Sequence, residues 1–535
     1  MKKTDWEQKN KCRAIPSRWV DTWKLKGGQL IAKSRLCLKG FAEPVMPGET
    51  NASPTANRIS HRLVCFQAVQ NNWALASLDV SVAFLKGLSF TEMSTRGMQR
   101  RAVAFVPCED VWNILTELSP TEFNKTLDNP SSWVFVLDKA AYGLRDAPLL
   151  WHLRAVEVLK EIGYRPLLHD GCTFALRHST TNQLLALLTL HVDDLLLAGP
   201  MAQVKDLQDK LSAVFGALSL DLGVNGFKHF GVDLVQNKTL DHVSASQVKY
   251  IADLKPIEIP TRCLKTAECG PEKTTEFRAL VSAVAWVGVT SPFALASASL
   301  LQGCLPLPTW GDLVKLNTNL AELKSTYCPL QYHPLAEPLR ILSVTDSSFA
   351  NSGKYSQNGY LSMLCSVNDS ELCGNFVLLD FKSNKSKRVA TSTLHAEALG
   401  SIAGLESNTY LQSYLLELKQ ANLTAMQLLT PEHHKDLVPI IAITDCNDLQ
   451  DTLIAPAQPA SSTKHLALYI AAIREYCATG RVQAFVWIDT RDMLANSLTK
   501  LKEDGTTEAE LRPSLKTFVW KLKHAYKWNH TWCAE

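Results

Sequence analysis

The feature that most constrains this chain is a pair of adjacent acids, Asp193-Asp194, set between two short apolar runs, Leu184–Leu190 and Leu195–Ala198. Two such runs separated only by His191-Val192-Asp193-Asp194 predict a β-hairpin whose turn region carries both carboxylates. Charge beside buried strands is costly unless it faces water or meets a partner. The doublet is therefore either a solvated turn or the anchor of a cation, and hard oxygen ligands suit Mg²⁺. A third acid of the same character, Asp79, lies at the end of the apolar run Ala76-Ser77-Leu78. Three such acids could hold two metal ions about 3.5–4 Å apart, stabilising the attacking and leaving oxygens of a phosphoryl transfer.

At 535 residues the chain is too long for one core, and its alternation of strand-like and helix-like runs predicts a multidomain α/β (α+β) protein. A net charge of +3 does not mark a nucleic-acid binder, so any basic track must be local. None of the fourteen cysteines stands in a Cys-x-x-Cys pair, which argues against a zinc ribbon or knuckle. The start, Met1-Lys2-Lys3-Thr4-Asp5-Trp6, has no signal-peptide run, so an intracellular chain with reduced thiols is expected. The uncharged stretch 279–311 is long enough to raise a membrane span, but its serines, Gln302 and Pro292 predict a buried helix pair broken at Pro292.

A second set of acids follows. Thr345-Asp346 and Thr444-Asp445 each end a short apolar strand, and Glu397 lies in the helically spaced segment Thr391–Leu399. Each alone reads as a strand-end or capping acid.

The surrounding words carry more. Lys33-Ser34-Arg35-Leu36-Cys37-Leu38-Lys39-Gly40-Phe41, Leu78-Asp79-Val80 through Ala83-Phe84-Leu85-Lys86-Gly87, Ala141-Tyr142-Gly143-Leu144-Arg145-Asp146-Ala147-Pro148 with Trp151, Val192-Asp193-Asp194, and His229-Phe230-Gly231 stand in that order. Together they resemble the reverse transcriptases of copia-type LTR retrotransposon Pol polyproteins. The resemblance implies a right-hand polymerase of fingers, palm and thumb, with Asp79, Asp193 and Asp194 as the metal-binding catalytic triad. Phe84 would be the aromatic gate against a 2′-hydroxyl. Tyr142 and Gly143 would line the nucleotide pocket, and Lys33, Arg35 and Lys39 would meet the triphosphate. Two departures are His191 for the family's Tyr and Asp146 for its Gln.

The second half resembles the ribonuclease H domain of the same family. Phe381-Lys382-Ser383-Asn384-Lys385, His395-Ala396-Glu397, Thr463-Lys464-His465 through Ile473-Arg474-Glu475, and Leu494-Ala495-Asn496 through Thr499-Lys500 carry that resemblance. It implies a mixed sheet with helices whose catalytic and metal-binding acids are Asp346, Glu397 and Asp445. Asn496 stands where the family has a fourth acid, offering an oxygen without a charge, so cleavage is expected to be reduced.

On this reading residues 1–17 are an N-terminal tail, 18–255 fingers and palm, 256–340 thumb and connection, 341–500 the ribonuclease H-like domain, and 501–535 a short helical tail. The expected activity is RNA-directed DNA polymerisation with two Mg²⁺ (or Mn²⁺) ions per active site. The implied partners are an RNA template, a DNA primer, RNA–DNA hybrid and dNTPs, with no membrane. The capsid, protease and integrase regions of the element are not in the sequence, which would make it a piece of a polyprotein or a degraded genomic copy. The family implies a cytoplasmic virus-like particle, with nuclear entry open. The competing reading is a catalytically inactive or domesticated relative that binds RNA–DNA duplex.

Overall fold

The computed structural model describes residues 1–26, 29–43, 51–98, 102–123, 130–352, 355–367, 372–430, 437–455 and 464–529. Thr463 of the Thr-Lys-His word therefore lies outside the described residues.

The acid doublet sits in the expected hairpin, Leu184–His191 paired antiparallel with Asp194–Gly199. These strands lie inside a six-stranded antiparallel sheet ordered Ser219–Leu222, Ala74–Asp79, Asp194–Gly199, Leu184–His191, Thr173–Arg177, Arg165–Pro166. Their unbroken apolar character has a simple cause: both faces of the sheet are covered. Leu195 and Leu197 pack under the helices Ala147–Glu161 and Met201–Phe215, while Leu196 and Ala198 pack against the helix Arg58–Gln70. On one side stands a hairpin of long strands, Ile15–Lys26 with Gln29–Leu38, extended by Ala104–Val106 and Phe135–Val136.

A small antiparallel sheet, Phe227–His229, Val232–Gln236, Val243–Ser246 and Leu330–Tyr332, leads into three helices with a core of their own. The expected break at Pro292 is there. The helix Gly270–Val287 ends, Ser291 caps the next by accepting from the Ala294 N–H, and Pro292 opens Pro292–Gln302. The helix Trp310–Thr326 completes the group. No helix among the described residues is long and apolar enough to cross a membrane.

The last third holds a seven-stranded sheet. Its centre is Gly374–Lys385, Tyr355–Val367, Leu339–Ser352, Ile440–Thr444 and Val482–Ile488, the first three antiparallel and the last three parallel. The 27-residue helix Thr393–Lys419 and the helix Lys464–Ala478 pack on it. This mixed order is that of a ribonuclease H-like sheet. The terminal segment expected to be helical is so only over Leu511–Thr517; Val519–Trp520 and Tyr526–Asn529 then add a strand to each outer edge of the sheet. These short strands become the edges of the sheet, pairing with Gly374–Asn375 on one side and Phe485–Ile488 on the other.

The palm and this sheet share one apolar core. Arg62 lies at its centre, buried, donating to Asp380, to the Leu379 carbonyl at 3.1 Å and to the Val289 carbonyl at 2.9 Å, with its guanidinium 4.3 Å from the Phe381 ring centroid.

Candidate active sites

Antiparallel register sets the first site. Asp79 pairs directly with Asp194, so the two carboxylates lie on one face of the sheet at neighbouring positions. Asp193 is in the turn just before, and its carbonyl accepts from the Val80 N–H at 3.4 Å. Val192, the other turn residue, is held at φ +59°, a left-handed conformation costly for a β-branched residue. What holds it is the Trp151 indole, whose Nε1 donates to the Val192 carbonyl at 2.6 Å. The Trp of the Tyr-Gly-Leu…Trp word thus positions the turn that carries Asp193.

The strand Gln29–Leu38 faces Asp79 and Asp193 across a cavity of about 660 Å³ lined also by Lys33, Arg35, Val82 and Tyr142, among others; Asp194 does not line it. Its back wall is a tight backbone crossing. The Leu38 N–H donates to the Tyr142 carbonyl at 2.7 Å, and a Cβ on Gly143 would lie 2.0 Å from the Leu38 carbonyl oxygen. Gly143 also sits at φ +93°, so no other residue fits there. Burial pushes the Tyr142 phenol up, the Arg35 guanidinium opposing and the Asp193 and Asp79 carboxylates adding to it. Of the nucleotide-pocket residues read from the sequence, Lys33, Arg35 and Tyr142 line the cavity. Phe84 stands behind it, edge-on to Tyr142 with centroids 5.4 Å apart, and Lys39 and Gly143 belong to its supporting backbone.

The two departures have structural settings. Asp146 is buried at the N-cap of the helix Ala147–Glu161, where a negative charge meets the helix dipole. His191 packs on Phe230 with centroids 4.1 Å apart, in a cluster with His61 and His229.

In the second site Asp346, Glu397 and Asp445 come together, with one carboxylate oxygen of each within 4.8 Å of the others. Parallel strands do part of this: Val344 pairs with Ile443, and each strand carries its acid two residues further on. The helix does the rest. Gly400 and Gly404 lie against Ser347 and Thr345 so closely that a Cβ would come within 2.1 and 2.4 Å of those side chains. The long helix therefore seats tightly on the strand, and Glu397 Oε1 accepts from the Ser347 N–H at 3.3 Å. Burial, then the Asp346 and Asp445 charges, pushes the Glu397 carboxyl well up; burial, then Asp346, raises Asp445. Three crowded acids, one of them buried with an unpartnered Oε2, fit a divalent cation.

Asn496 is placed beside this cluster, its Oδ1 accepting from Lys500 Nζ at 2.7 Å and its Nδ2 donating to the Thr490 carbonyl at 3.1 Å. The Thr499 hydroxyl donates to Asp346 Oδ2. Thr499 and Lys500 were visible as a motif word, but a polar pair closing a turn gave no sign of which acid it would meet. Asp492 accepts from the Lys523 and His524 N–H groups and holds the terminal segment.

Fold and sites together define a chain with a polymerase-type palm joined to a ribonuclease H-like sheet, and residues 108–259 match the family described as reverse transcriptase (RNA-dependent DNA polymerase). The chain's likeness to retrotransposon Pol polyproteins runs along nearly all of it. It is 26% identical over 509 residues to the retrovirus-related Pol polyprotein from transposon RE2 of Arabidopsis thaliana, covering 91% of this chain and 31% of that protein. The corresponding protein from transposon RE1 is 25% identical over 508 residues, 91% and 30%. The chain thus spans less than a third of the length of these relatives. A foamy viral protease-reverse transcriptase in complex with double-stranded DNA aligns over 86% of this chain and 64% of its own at 11% identity and a TM-score of 0.45; the fold assignment rests instead on strand order.

Proposed function

We propose that the chain is an RNA-directed DNA polymerase working by two-metal nucleotidyl transfer, with a ribonuclease H-like domain of reduced activity. The observation that carries this is the Asp79–Asp194 cross-strand pair with Asp193 in the adjoining turn, where Asp79 and Asp193 share one cavity with Arg35 and Lys33. Acids on one wall and cations on the other suit a nucleoside triphosphate. Arg35 and Lys33 would bind its phosphates, and the Tyr142 ring, backed by Phe84, would bound the sugar. Asp79, Asp193 and Asp194 offer oxygen ligands suited to Mg²⁺ or Mn²⁺, which when bound neutralises charge on the transferring phosphoryl group. An RNA template and a DNA primer would be the remaining substrates.

For hybrid cleavage, Asp346, Glu397 and Asp445 would hold the metal-binding centre. The pairing of Asn496 with Lys500 favours weak activity there. Primer extension on poly(rA)/oligo(dT) with dTTP tests the polymerase. Mg²⁺-dependent extension is expected, and a chain that binds the duplex without extending it would instead be an inactive relative.

A further inference from the structure

Lys500 reaches the second site from its rim and makes two contacts there. Its Nζ donates to Asn496 Oδ1 at 2.7 Å and lies 3.7 Å from Asp346 Oδ2. The Asn496 amide cannot turn its oxygen elsewhere without giving up the Thr490 carbonyl held by its Nδ2. Asp346 Oδ2 is served twice, by Lys500 and by the Thr499 hydroxyl. The acceptor left without a partner is Glu397 Oε2, on a side chain of a residue only 5% exposed.

Charge counting points the same way. With a cation bound and all three carboxylates ionised they carry −3, and the Lys500 ammonium brings the cluster to −2, the charge that one divalent ion neutralises. An acid at 496 would restore −3 and leave room for more positive charge. Two divalent ions held close together repel strongly unless carboxylates offset them.

We propose that the Lys500 ammonium stands in for one of two cations at this centre, so that Asp346, Glu397 and Asp445 bind a single divalent ion. This rests on the metal-binding reading of the cluster above. It makes Lys500 a positioning residue, and it makes Asn496 its hydrogen-bond seat rather than a metal ligand.

The test counts bound Mn²⁺ per full-length chain by electron paramagnetic resonance and titration calorimetry, with thermal melts in EDTA to confirm that each variant is folded. Ions at the polymerase site cancel in every difference. Wild type should exceed Asp346→Asn/Glu397→Gln by one ion, and Asn496→Asp/Lys500→Met should exceed wild type by one. Lys500→Arg, which keeps the charge, should match wild type. A difference of two ions between wild type and the double acid variant overturns the proposal and leaves the metal centre standing, as does an unchanged count in Asn496→Asp/Lys500→Met. No difference between wild type and the double acid variant overturns the metal centre itself.

Discussion

The Trp151 indole N–H donates to the Val192 carbonyl at 2.6 Å, tying the helix Ala147–Glu161 to the turn that carries Asp193. Trp151→Phe keeps most of the buried ring but leaves that carbonyl without its donor, at a cost of about 1–3 kcal/mol. The turn then relaxes from its left-handed conformation and Asp193 moves. Misplacing a reacting group by about 1 Å can cost about a hundredfold. Extension by Trp151→Phe should therefore fall by about 10- to 100-fold while urea melts show a folded chain; unchanged extension would mean that the indole bond does not position Asp193.

Phe84→Ala removes the ring that backs Tyr142. With that support gone, Tyr142 can retreat and admit a 2′-hydroxyl. Selectivity for dNTP over rNTP, read as the ratio of kcat/KM values, should drop at least about tenfold, or about 1.4 kcal/mol. A ratio equal to that of wild type would place the gate on another residue.

Arg62→Met tests the joint between the two halves. The substitution takes from Asp380 its Arg62 partner, leaving the Tyr360 and Ser407 hydroxyls and the more distant Arg58 charge, and leaves the Leu379 and Val289 carbonyls without their guanidinium. Breaking one side of a buried pair costs about 3–5 kcal/mol. Calorimetry should show the melt of the intact chain moving down and separating into two transitions. A single transition at the wild-type temperature would contradict the central placement of Arg62.

Two desolvated histidines weaken the fold toward acid pH. Burial, with His191 and Arg62 nearby and Asp170 opposing, pushes the His61 imidazole down to about 4; burial, with His61 and His191, takes His229 down to about 3. A lowered folded pKa means stability present above the unfolded value near 6.5 and lost as the pH falls toward 4. For His61 the loss reaches roughly 3 kcal/mol by about pH 4. Glu397 and Asp445 act in the opposite sense, their raised carboxyls favouring the fold at acid pH and losing that contribution as the pH rises. The difference between His61→Gln and wild type isolates the histidine. The wild-type urea midpoint should fall more steeply than the variant's between pH 6.5 and pH 4, and parallel curves would rule the effect out.

Legibility in the sequence followed the range of the contacts. Asp79, Asp193, Asp346 and Asp445 were readable because each stands at the end of an apolar run, a local pattern that strand formation alone produces. The helix break at Pro292 was readable for the same reason. Trp151 and Val192 are 41 residues apart and Arg62 and Asp380 are 318 apart, and nothing in either neighbourhood names its partner. The terminal segment misled because its Lys- and Trp-rich composition suits a half-buried edge strand as well as a helix. Only the open edges of the sheet, formed by residues far upstream, decided between them.

The pairing of Asp79 with Asp194 beside Asp193 carries the polymerase proposal. Its most direct measurement is extension of oligo(dT) on poly(rA) in Mg²⁺ and in Mn²⁺ by wild type, Asp79→Asn and Asp193→Asn, each shown by thermal melting to be folded. Replacing a carboxylate by an amide of the same shape removes a charge from the proposed metal-binding set and little else. Wild type should extend the primer only with a divalent ion, and both variants should fall to background in either metal. Extension at the wild-type rate by folded Asp193→Asn would contradict the central claim.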